Sequence, residues 1–111
     1  MAVNNKYLFS ELGSELVEKL YQRALRIELL KNEMQFNREK RISMKYQGVN
    51  IGFDKVDFDV EEKVLVELKA VSELNDIHMA QMISYLKSSG RRIGLLLNFA
   101  KLRLEIKRIA V

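Results

Sequence analysis

Residues 53–70 read FDKVDFDVEEKVLVELKA. Two runs of alternating character flank Glu61-Glu62-Lys63, so the stretch predicts a hairpin turning on those three residues. Pairing symmetric about Glu62 sets Val60 against Val64, Phe58 against Val66 and Val56 against Leu68, an entirely apolar face. The other face then holds Asp57 opposite Glu67, with Lys69 diagonal to Asp57 and Lys55 opposite Lys69. Directly opposed carboxylates cost roughly 0.2–1 kcal/mol. A hard divalent cation between them reverses that sign, because Mg²⁺ is held by one or two carboxylates together with water and phosphate. The alternative is a solvated hairpin face carrying ordinary charges. Against it, Val64-Leu65-Val66 with Leu68 and Ala70 predicts a strand buried on at least one side.

The chain has 111 residues, of which 48% are hydrophobic and 31% charged. That composition fits one folded domain spanning 1–111. The absence of Cys removes disulfides, thiolate metal sites and cysteine nucleophiles, and a single His excludes a multi-histidine centre. No run approaches the ~18 apolar residues of a membrane span, and the amino terminus carries no secretory signal, so a cytoplasmic protein without membrane contact is expected. The net charge of +4 is uneven. Residues 1–54 carry +2, residues 55–90 carry −3 and residues 91–111 carry +5. An acidic middle between basic ends fits a metal site within a phosphate-attracting surface. Solubilising charge is the other reading of Arg91, Arg92 and their neighbours.

Around the hairpin, apolar residues at Leu12, Leu16, Leu20, Ala24, Ile27 and Met34 predict a helix from about Ser10 to Met34, with Val17, Tyr21 and Leu30 widening the stripe. Its regular part starts near Ser14, and Glu18 lies beside the stripe, able to reach a site at the core's edge or simply to favour the helix dipole. Phe36 to Tyr46 reads as a strand ending at Gln47–Asn50. Asp76 is the expected cap of a helix over Ile77–Ser88 that Gly90 terminates, with Met79, Ile83 and Leu86 inside. His78, Gln81 and Tyr85 share an adjacent face. Two further strands follow, Arg92–Phe99 and Leu102–Val111. A strand, helix and strand in succession imply a right-handed crossover, so Val64–Ala70 and Arg92–Leu97 are expected as parallel neighbours in a mixed sheet flanked by helices.

This order of elements, with D…ExK on antiparallel strands, resembles the PD-(D/E)XK nuclease superfamily and its restriction-endonuclease-like core, an α/β fold bordering on α+β. More narrowly the chain resembles the GxxExxR proteins, through LVEKLYQRAL, VDFDVEEKVLVELKAV, IHMAQMISYLKSSG, RIGLLLNF and a closing IKRI. QMISY is similar to the QxxxY motif of recombination helicase-nucleases. The resemblance implies that Asp57 and Glu67 ligate a metal, Mg²⁺ or Mn²⁺, with the Leu68 carbonyl and Glu18 completing the shell. Lys69 would position or activate the attacking water, and Gln81 and Tyr85 would hold the substrate strand. The proline that usually precedes the aspartate is Val56 here, the second glycine is Glu15, and the helix preceding the first one is shortened between Leu12 and Gly13. A partner subunit, or a second copy, is the expected source of that lost packing surface.

The function expected is metal-dependent hydrolysis of phosphodiester bonds in nucleic acid, DNA before RNA. Lys55, Arg91 and Arg92 join Gln81 and Tyr85 as expected nucleic-acid contacts. The other reading of Tyr85 is core filling; His78, adjacent to this cluster, is read as a phosphate contact or else as a capping or packing residue. A catalytically silent nuclease-like module that binds nucleic acid or protein is the alternative function.

Overall fold

The computed structural model describes residues 14–111. Expectations for the helix start near Ser10, for Leu12 and for the shortened helix before Gly13 lie outside the described residues. The elements run α1 (Ser14–Lys31), β1 (Phe36–Tyr46), β2 (Val49–Val60), β3 (Val64–Lys69), α2 (Asp76–Ser89), β4 (Ile93–Asn98) and β5 (Glu105–Ala110). The strands form one mixed sheet in the order β1-β2-β3-β4-β5, with β3 and β4 parallel and the other pairs antiparallel. The expected hairpin is present: Val60 pairs with Val64 and Phe58 with Val66.

Helix α1 ends at Lys31, short of the periodicity. Glu33 adopts φ +56, donating its N–H to the Leu30 carbonyl while Met34 donates to Leu29. That is a Schellman stop with glutamate in the position usually given to glycine. The helix also faces the sheet differently from expectation. Val17 and Tyr21 are buried, with Leu25 and Leu29 packed behind them, whereas Leu16, Ile27 and Leu30 are 44%, 50% and 52% exposed. The longer apolar stripe therefore points outward, because Tyr21 stacks on Phe99, ring centroids 4.2 Å apart, and fixes the helix rotation.

Two apolar clusters lie on the two sides of the sheet. Phe58, Val60, Val66 and Leu68 pack with Val17 and Tyr21 under α1, while Val56, Leu65 and Leu96 pack with Met82, Tyr85 and Leu86 under α2. Val56 is thus on the side opposite Phe58, although two residues apart should share a face. The alternation loses phase at Asp57, and in β1 at Glu39, which lies between the pairs Arg38↔Phe58 and Lys40↔Val56 and has φ +53. Phe36 accordingly packs with the α1 cluster, and Ile42 and Met44 with the other. Because both strands shift together, their register is unbroken from Phe36↔Val60 to Met44↔Gly52.

Helix α2 is capped by Asn75, not Asp76. The Asn75 side chain accepts from the N–H groups of Ile77 and His78, and His78 Nδ1 accepts from the Asn75 N–H, a reciprocal box. His78 thus caps the helix, the second of its two readings. Gly90, at φ +79, closes the helix. The buried residues are Met82, Tyr85 and Leu86 instead of a Met79–Ile83–Leu86 face. Gly94 explains the rotation: a Cβ there would stand 2.5 Å from Met82 Sδ, so only glycine lets Met82 press onto β4.

Asp59 is buried and takes both Nε and Nη2 of Arg91, at 3.2 and 2.9 Å, with Lys40 Nζ at 3.8 Å. Arg91 therefore ties α2's end to β2 and is not the free phosphate contact expected of it. Removing one member of a buried pair strands the other charge. Arg91→Ala should cost about 3 kcal/mol in urea unfolding, whereas Arg92→Ala, an exposed neighbour, should stay within about 0.5 kcal/mol.

Candidate active site

The β2–β3 ladder stops at Phe58↔Val66. Beyond it Asp57 replaces backbone pairing with its side chain. Oδ2 accepts the Leu68 N–H at 2.7 Å, Oδ1 accepts Gln22 Nε2 at 2.6 Å, and the Asp57 N–H reaches Glu67 Oε1 at 3.3 Å. Asp57 and Glu67 are thus brought together as expected. Leu68 buries its side chain under α1, and Lys69 donates through Nζ to Gln81 Oε1 at 3.1 Å, joining the last residue of β3 to α2. Glu18 reaches the same end of β3, where it accepts the Ala70 N–H at 3.1 Å.

Glu67 is 8% exposed, and its carboxyl is pushed up to about 10. Burial is the largest cause, followed by the hydrogen bond to Asp57 and that carboxylate's charge; Lys69 opposes the shift. Burial also raises Glu18, against the Ala70 hydrogen bond and the Lys69 charge. His78 is lowered by burial and by Lys69. Burial beside a second carboxyl therefore favours the protonated form of Glu67. The donors of Asp57 and Glu67, with Glu18, are all carboxylate oxygens, the chemistry that suits a hard ion such as Mg²⁺. Among the described residues no group of three or more His, Asp or Glu converges closely enough to hold a metal. Asp57 and Glu67 fit the ion as a pair, and Glu18 stands on its backbone partner instead of completing a trio.

Two expected contacts are engaged within the protein, and a third lies away from its expected cross-strand partner. Tyr85 is buried, and its hydroxyl donates to Asp54 Oδ2 at 2.6 Å, so its ring fills the core and is not offered to a base. Burial and that hydrogen bond hold its phenol in the neutral form. Arg91 belongs to Asp59. Lys55 pairs with Arg41 of β1, and no β2–β3 ladder pair sets it opposite Lys69. Arg92 is exposed.

Two site residues escaped the sequence reading. Gln22 lies one helical turn after Glu18, and that i, i+4 spacing of two polar residues beside a buried stripe was the available signal. Asn98 is fully buried at the end of β4. Its amide donates to the Val71 carbonyl and Glu105 Oε1 and accepts from the Val71 and Ala100 N–H groups, fixing the chain just after Lys69. Its only sequence signal was a polar residue ending an apolar strand.

Because Glu67 binds its proton more tightly in the folded chain, it contributes stability fully below about pH 4.5 and loses it as pH rises toward about 10. The melting temperature of metal-free protein should fall across that window, and Glu67→Gln should flatten the fall. An identical profile in both proteins would place the linked proton elsewhere.

The sequence profile of the PD-(D/E)XK nuclease superfamily matches residues 4–109. Among solved structures, the crystal structure of SSO0001 is similar at a TM-score of 0.66 and 17% identity, over 86% of this chain and 50% of that one. An alkaline exonuclease, LHK-Exo from Laribacter hongkongensis, is similar at 0.60 and 13%, over 83% of this chain and 55% of that one. The chain therefore spans about half the length of either structure. No curated protein matches. No helix among the described residues is long and apolar enough to cross a membrane. A mixed five-stranded sheet that brings Asp57, Glu67 and Lys69 to one end, with the profile covering nearly the whole sequence, shows that this chain belongs to the PD-(D/E)XK nuclease superfamily.

Proposed function

We propose that the chain is a metal-dependent nuclease that hydrolyses phosphodiester bonds in DNA, and that within its superfamily it belongs with the GxxExxR proteins. The observation that carries the activity is the junction of Lys69 and Gln81 beside the facing carboxyls of Asp57 and Glu67. A Mg²⁺ or Mn²⁺ ion held by that pair would supply Lewis acidity and acidify a bound water. The chain's own groups do the remainder. Lys69 has three N–H donors and spends one on Gln81, which leaves positive charge for the oxygens where negative charge develops. Gln81, with its carbonyl end engaged, keeps its amide N–H groups for a phosphate oxygen. Gln22 and the Leu68 N–H orient the Asp57 carboxylate from opposite sides.

One observation favours the second reading, a nucleic-acid-binding module that does not cut: Glu18 is engaged by Ala70 and does not join the carboxyl pair. Incubation of labelled single- and double-stranded DNA with Mg²⁺ or Mn²⁺ separates the two. Lys69→Ala should lower cleavage by about a hundredfold or more, while its fold and its metal-induced melting shift persist. Asp57→Asn should lose that shift. Cleavage by Lys69→Ala at the parent rate would refute the assignment of Lys69, and no cleavage by the parent would leave the binding module.

A further inference from the structure

Between α1 and β1 lies a cavity of about 210 Å³ lined by Lys19, Gln22, Arg23, Arg38 and Glu39. It carries three cations against one carboxylate. Among the described residues none of the three cations has an ion-pair partner, in contrast to Arg91 and Lys40, which serve Asp59. The cavity adjoins the carboxyl pair directly, because its wall residue Gln22 donates to Asp57. The loss of phase at Glu39 matters here. Arg38, opposite Phe58, lies on the α1 side of β1, while Lys40 turns to Asp59 on the other. After the shift Arg41 and Lys55, which face each other, return to the α1 side. Arg41 stacks over the Phe53 ring at 4.4 Å.

From there β1 and β2 continue as a two-stranded arm in which every residue from Lys45 to Lys55 is exposed. The arm leaves from the end of the sheet that holds Lys69, since β3 runs antiparallel to β2 toward that end. Cations in a row interleaved with an exposed aromatic ring match the backbone and bases of an unpaired strand.

We propose that this cavity binds a backbone phosphate of a single-stranded nucleic acid next to the phosphodiester at Asp57 and Glu67, and that the Arg41–Phe53–Lys55 face of the arm carries the strand onward. The proposal rests on the nuclease reading for the position of the cut, but binding along the track does not require cutting. Lys19 and Arg23, one helical turn apart on α1, and Arg38 on β1 clasp the phosphate. Glu39 limits the site's net charge, so it prefers a diester in a strand, where neighbouring interactions add, to free phosphate.

The test is fluorescence anisotropy of a labelled oligothymidylate, without metal, across a salt series, paired with cleavage kinetics in Mg²⁺. The triple variant Lys19→Ala/Arg23→Ala/Arg38→Ala should lose about tenfold or more in affinity and lower the salt slope by roughly 0.7, the contribution of one phosphate no longer neutralised. Its KM should rise while kcat holds. Arg23→Lys/Arg38→Lys should keep the slope, and Phe53→Ala should lose affinity with the slope unchanged. Lys63→Ala, in the β2–β3 turn at the far end of the sheet, should match the parent. An unchanged slope and KM in the triple variant, or an equal loss in Lys63→Ala, overturns the proposal. A parent that binds through these residues without cutting supports the track and defeats the nuclease reading. A triple variant that binds and cuts like the parent does the reverse.

Discussion

The Asp57 carboxylate takes the Leu68 N–H that a continuing β-ladder would have given to a β2 carbonyl. Backbone pairing between β2 and β3 is thereby exchanged for two side-chain hydrogen bonds, this one and that of the Asp57 N–H to Glu67 Oε1, and the two strands part. Buried backbone donors must be satisfied somewhere, so the carboxylate that opens the site also removes the cost of opening it. The remaining features follow from this separation. β2 is free to continue with β1 as the arm, Glu67 is left facing a carboxylate in place of a paired strand, and the peptides after Leu68 become available to Glu18 and Asn98.

The separation has an energetic cost that the fold distributes. Glu67 keeps a proton because burial and Asp57 both disfavour its ionised form. Two residues from Asp57 along the same strand, Asp59 is buried and is held by Arg91 and Lys40. Two acidic residues in one strand thus meet opposite treatments. Asp59 has cations built around it and is satisfied by the protein alone. The Asp57–Glu67 pair has one ammonium near it, that of Lys69, for two carboxyls. The first is a structural ion pair, and under the proposed function the second is the arrangement that an external cation would complete.

Much of this was legible in the sequence, because a tight turn between strands of period 2 determines register: Phe58↔Val66 follows once Glu62 is the centre. The parallel β3–β4 pair followed from the crossover rule, whereas the hydrogen bond of Lys69 to Gln81 was not foreseen. Other features were hidden for specific reasons. Periodicity counts apolar residues but does not say which stripe finds the sheet, so Leu16, Ile27 and Leu30 counted as core although Tyr21 and Phe99 decide the rotation of α1. Alternation assumes an unbroken strand, and a shift shared by Glu39 and Asp57 leaves the pairing register intact while moving Val56 to the other side. Arg91 and Tyr85 looked available because sequence does not show which carboxylate will claim a donor; the buried Asp59 and the exposed Asp54 did.

The position of Lys69's partner depends on packing remote from any charge. Gln81 precedes Met82, and Met82 rests against Gly94 where a methyl group would stand 2.5 Å from its sulfur. Any side chain at position 94 must displace Met82 or lift α2, and Met82 is itself enclosed by Leu65, Leu86 and Leu96. A dense core transmits such a displacement because it has little void to absorb it. Lifting α2 would carry Gln81 from Lys69 while leaving the Asp57–Glu67 pair on β2 and β3 in place. The carboxyls and the lysine are therefore positioned by different parts of the fold. The sheet sets the first through Asp57's hold on Leu68, and helix packing over a single glycine sets what the second can reach.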